Sequence, residues 1–126
     1  MTLEEELDER YRAKGLQAAI DDYSDLKKRY YSRGSYDFGE GALNAFGYQV
    51  LEKDAAGAIQ VFTLNAEAFP QSGNVWDSLA EAYMKAGDLK KAEANYEKSL
   101  ALDPTNENAK DVLKKIREPR KVVMPQ

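Results

Sequence analysis

From Asn74 to Ala86 the apolar residues Trp76, Leu79, Ala80 and Tyr83 recur at spacings of three, one and three, so they fall on one face of a helix. Gly87 follows, a residue able to take positive φ at a helix C-terminus. A second apolar face begins at Ala92, with Tyr96 one turn later. Pro104 closes it, because proline lacks an N–H and pushes the residue before it out of the α region. The same pattern stands 34 residues earlier, where Ala58, Phe62, Ala68 and Pro70 take the places of Ala92, Tyr96, Leu102 and Pro104. A small residue lets two helix backbones approach, and an aromatic one turn on fills the gap between them. Leu43, Phe46, Gly47 and Val50 supply the helix ahead of this earlier copy, with an inter-helix turn one residue shorter. Ser72 and Thr105, just beyond the two prolines, are the cap candidates for the helices that follow.

A third, looser pair precedes these two. Leu3, Leu7 and Tyr11 lie before Gly15, and Ala19, Tyr23 and Leu26 after it, with no closing proline. Thr2 and Glu5 have the spacing of a capping box. At the other end Ala109, Val112, Leu113 and Ile116 predict a single closing helix. The expectation is therefore an all-α fold of seven helices: three pairs over about 1–33, 37–70 and 73–104, and a capping helix over 106–118. These form one domain, residues 1–118, followed by a flexible tail, 119–126. The stretch from Tyr31 to Gly41, with Gly34, Gly39 and Gly41, is the long irregular connection and the expected mobile site.

Composition narrows the chemistry. Hydrophobic residues make up 43% and charged residues 32% of the 126, the usage of solvated helices in one domain rather than of a disordered chain. A net charge of -4 argues against a general nucleic-acid binder. Acidic Glu4, Glu5, Glu6, Asp8 and Glu9 crowd one end, and basic Lys114, Lys115, Arg117, Arg120 and Lys121 the other. That asymmetry complements the helix dipoles and leaves head-to-tail self-association open. No apolar run is long enough to span a bilayer, and the acidic start does not resemble a signal peptide. The chain reads as soluble, with no membrane partner and no indicated compartment.

Cysteine and histidine are both absent, which removes disulfides, thiol nucleophiles, Ser-His-Asp triads and thiolate or imidazole metal sites. GSYDFGEG lacks the Lys-Ser/Thr of a phosphate loop. Asp37 with Glu40 and Asp77 with Glu81 have acid-base spacing, but any solvated helix face produces it. No catalytic residue, metal or cofactor is expected. Among the aromatics, Tyr23, Phe62, Trp76, Tyr83 and Tyr96 have packing places. Tyr30, Tyr31, Tyr36, Phe38 and Tyr48 are left as candidates for contact with a partner.

Trp76, Leu79, Ala80, Tyr83, Ala92, Tyr96, Ser99 and Pro104 resemble, in order and spacing, the signature of the tetratricopeptide repeat. That resemblance implies a right-handed superhelix of helix-turn-helix pairs. Over nearly the whole chain, YDFGE, LNAFGYQVL and the segment from AIQVF to NENA are similar to the tetratricopeptide extension of bacterial serine β-lactamase-like hydrolases. The catalytic domain of that family has no counterpart here, so the resemblance implies an accessory or regulatory role without hydrolase activity.

In such a stack the first helix of each pair lines the concave face, the place for an extended ligand. The expected contact residues are Asn44, Tyr48, Leu51 and Glu52, then Asn74, Asp77, Glu81, Met84 and Lys85, then Asn108 and Asp111, with Lys115 closing the row. Asn side chains suit a peptide backbone, and Tyr48, Leu51 and Met84 suit apolar side chains. Chaperone-binding relatives of this family use a basic clamp for an acidic C-terminus. The matching places hold Asn44, Ala45, Tyr48, Ser78, Asn108 and Val112, and Asp77, Glu81 and Asp111 lie nearby. The implied partner is a basic or neutral protein segment. A self-assembling unit, with a homo-oligomer as partner, and an engineered repeat are the other readings.

Overall fold

The computed structural model describes residues 2–31 and 36–118. Gly34 of the expected mobile connection, and the tail 119–126, lie outside them. The described residues form seven helices and no strand: α1 (Leu3–Lys14), α2 (Leu16–Tyr30), α3 (Glu40–Leu51), α4 (Ala55–Ala68), α5 (Gly73–Ala86), α6 (Leu89–Leu102) and α7 (Glu107–Arg117). α1, α3 and α5 each pack on the even helix that follows, α4 packs also on α5, and α6 packs on α7. The odd helices meet one another as well, α1 on α3 and α3 on α5.

Helix boundaries follow local chemistry. Thr2 and Glu5 form the full capping box of α1. Asp54 and Asp88, one repeat apart, each accept from a first-turn N–H, that of Gly57 in α4 and that of Lys91 in α6. Gly87 ends α5 at φ 86 and Gly15 joins α1 to α2 at φ 92, conformations in which a side chain would be strained. α4 and α6 stop two residues before Pro70 and Pro104. The cap expectations after the prolines need correction. Ser72 occupies the cap of α5 but its side chain makes no capping bond. Thr105 is not a cap: its N–H and hydroxyl both donate to Asp103 Oδ1, and Asn106 caps α7 instead.

One core runs from α1 into α5, with Leu7, Phe46, Val50, Val61 and Phe62 fully enclosed. A smaller one, Ala80, Ala92, Tyr96, Ala109 and Leu113, binds α5, α6 and α7. Burying a side chain such as Phe62 contributes about 1.5–3 kcal/mol. Gly47 lets α3 approach the Phe62 ring of α4: a Cβ there would lie 2.2 Å from Phe62 Cε1. Asn65 and Ser99, one repeat apart and both buried, donate to the carbonyls of Glu40 and Gly73 at 2.9 and 2.7 Å. The acceptors are 33 residues apart and the donors 34, so the shortened turn between α3 and α4 is absorbed as a one-residue change in register.

α2 packs closely on α1 alone. The connection after it inserts Phe38, 5% exposed, whose ring meets Tyr23, Tyr31 and Tyr36 at centroid distances of 6.0, 6.1 and 5.9 Å. Phe38 is therefore core and not a partner contact. The connection after α2 thus carries an aromatic that packs on Tyr23 of α2 and joins the main core.

Candidate functional site

The face made by the odd helices carries most of the residues expected to meet a ligand. α3 has neighbours on three sides, α1, α4 and α5, so only a narrow stripe of it stays open. On that stripe Asn44 and Tyr48 are half-buried and Glu52, just past the helix end, is exposed. Leu51 is not on it: at 5% exposure it belongs to the main core beside Val50, because the last turn of α3 is covered as the chain folds back into α4. Met84 is also turned inward, partly buried against the core shared by α5, α6 and α7. Asn74, Lys85, Asn108 and Asp111 are exposed, whereas Asp77 and Glu81 are half-buried.

Hydrogen bonds tie consecutive odd helices together across this face. Ser78 on α5 donates to Asn44 Oδ1 on α3 at 2.6 Å and accepts from the Tyr48 hydroxyl at 3.3 Å. Asn108 on α7 donates to Asp77 Oδ1 at 3.4 Å. With its oxygen engaged by Ser78, Asn44 keeps its NH2 for another acceptor. Tyr48 also packs its ring edge on Phe62 at 5.1 Å, a core aromatic that helps hold its hydroxyl toward Ser78. Ser78, 1% exposed, organises this cluster and was absent from the expected contact set. Its separation from Asn44 by one repeat length was the available signal.

Electrostatics single out two carboxylates. Burial pushes the Asp77 carboxyl above the usual range, with the Asn106 and Asn108 side chains pulling the other way. Burial and then the charge of Asp77 raise Glu81, while the Tyr48 hydroxyl and Lys85 oppose the shift. Tyr48 is raised mainly by burial, as is Tyr96, on which the charges of Asp77 and Glu81 also act. Among the described residues neither Asp77 nor Glu81 has an ion-pair partner within 4.0 Å. No group of three or more acidic side chains there could hold a metal ion, and no helix is long and apolar enough to cross a membrane.

The family model of the tetratricopeptide repeat matches residues 73–106, which span α5, α6 and the turn beyond. Among solved structures, the chain is similar to the first tetratricopeptide domain of Spaghetti (RPAP3) bound to the HSP90 peptide SRMEEVD. The TM-score is 0.63 at 20% identity, over 90% of this chain and 86% of that one. The architecture is thus a tetratricopeptide-like helical repeat. No curated protein matches the sequence.

Proposed function

We propose that the chain is a non-catalytic scaffold that holds a basic or neutral protein segment along the face of its odd helices. The repeat match and the peptide-bound structural neighbour support a peptide-binding scaffold and lend nothing to the hydrolase-extension, self-assembly or engineered-repeat readings. One observation carries the charge preference: Asp77 and Glu81 stand one turn apart, half-buried, raised in pKa by burial and without an ion-pair partner among the described residues. Two half-buried carboxylates, with Lys85 acting on Glu81 alone and no ion pair made, favour a further cation. The neighbour's peptide ends in Glu-Glu-Val-Asp, whereas here a carboxylate-rich peptide would meet Asp77 and Glu81. Asn44, Tyr48 and Asn108 then serve the peptide backbone, and Glu52, Asn74, Lys85 and Asp111 form the rim.

The test is a fluorescence-anisotropy titration with a Lys/Arg-containing peptide and its Glu-substituted counterpart. The basic peptide binds more tightly, and Asp77→Lys with Glu81→Lys reverses the preference. Equal affinity of the wild type and the double variant for the basic peptide would refute the assignment.

A further inference from the structure

Two even helices, α2 and α4, border an opening that shares no residue with the odd-helix face. α2 packs closely on α1 alone, and a trough of about 670 Å³ lies between α2 and α4. Apolar surface dominates its lining, with Leu64, Ala68 and the buried ring of Tyr23. Tyr31, 66% exposed, stands on its edge as a large aromatic surface in water.

Charge along this trough differs from that of the odd-helix face. Lys27 and Lys28 line the α2 wall, and Lys27 Nζ lies 5.9 Å from the ring centroids of both Tyr23 and Tyr31. Among the described residues neither lysine is in an ion pair, while Asp25 on the same helix is taken by Arg29. Glu67 is the single acidic residue of the lining. A volume of this size, bordered by two helices, takes a few side chains of a chain segment.

We infer that the trough between α2 and α4 is a second docking site, taking an acidic peptide segment whose apolar side chains cover Tyr23, Leu64 and Tyr31 while its carboxylates meet Lys27 and Lys28. It is independent of the odd-helix face and has the opposite charge preference. Two segments of one partner, or two partners, can therefore be held at once.

The probe is a synthetic peptide of Leu, Phe and Glu titrated into the full ¹⁵N-labelled chain, with a counterpart in which Lys replaces Glu. The acidic peptide produces saturable amide shifts at Tyr23, Lys27, Leu64 and Ala68 and leaves Asn44, Asp77 and Glu81 unmoved. Lys27→Glu with Lys28→Glu weakens it about tenfold, as loss and reversal of two surface ion pairs predict. Lys28→Glu alone, at an exposed position, gives a smaller loss should the double variant fold poorly. Shifts at the odd-helix face, equal affinity for the Lys peptide, unchanged affinity in the Lys28→Glu variant or no saturable shift would each overturn the assignment. So would binding of decanoate at these residues without binding of the peptide, which would make the trough a site for a small amphiphile.

Discussion

Ser78 donates its hydroxyl proton to Asn44 Oδ1 at 2.6 Å, joining α5 to α3 across the face proposed to hold a peptide. Because Ser78 is 1% exposed and also receives the Tyr48 hydroxyl, its removal leaves two oriented polar groups without their common partner. Ser78→Ala should cost about 1–2 kcal/mol of stability, read as a lowered urea midpoint, and weaken the basic peptide by loosening Asn44 and Tyr48. An unchanged midpoint together with unchanged affinity would deny Ser78 this organising role.

Gly47 presents the converse case, a residue whose value is what it lacks. Ala is the better helix former by about 1 kcal/mol, yet a methyl at Gly47 would lie within 2.8 Å of three atoms of the fully buried Phe62 ring. Overpacking costs about 1–3 kcal/mol, so Gly47→Ala should lower the thermal midpoint despite the propensity gain. Adding Phe62→Leu should then cost less than Phe62→Leu does in the wild type, a coupling that a double-mutant cycle measures.

Glu81 should make stability depend on pH. Its carboxyl lies above the ordinary 4.5 in the folded chain, so the folded state binds the proton more readily than the unfolded one. The contribution of this group is fully present below 4.5 and is lost as pH rises through the raised folded value. Glu81→Gln should therefore be more stable than the wild type at neutral pH, and the gap should close toward acid pH. The same variant should bind a basic peptide more weakly, a trade of stability against function. Denaturation curves at several pH values check the sign, and a gap that widens toward acid would contradict it.

Equivalent caps should respond unequally. Asp54→Ala and Asp88→Ala each remove a real capping bond and should cost about 1 kcal/mol. Asn106→Ala should cost more, since Asn106 also donates to the buried Ser99 hydroxyl at 3.1 Å. Ser72→Ala, at the same place one repeat earlier, should change the urea midpoint little, because that side chain makes no capping bond.

Much of the fold was legible in the chain because helical spacing is a local property. Trp76, Leu79 and Tyr83 define a face whatever surrounds them, and Gly87 and Pro104 punctuate the backbone through their own φ preferences. The candidate site was legible only in part. Asn44, Tyr48, Asp77, Glu81 and Asn108 could be placed on one face by projection, but projection treats every helix as having one covered side. α3 has three neighbours, and this is why Leu51 is core while the adjacent Glu52 is exposed.

By itself, then, the sequence determined seven helices, a 34-residue period relating the pair α3–α4 to the pair α5–α6, and the absence of the side chains that thiol and imidazole chemistry require. Tertiary structure decided how deeply Asp77 and Glu81 are buried, that Ser78 joins Asn44 to Tyr48, that Phe38 enters the core, and that a trough lies between α2 and α4. The physical reason is one of range. Caps, turns and apolar faces are set within a turn or two of chain, whereas burial, desolvation and contacts between residues 30 or 34 positions apart exist only once helices from different pairs have packed.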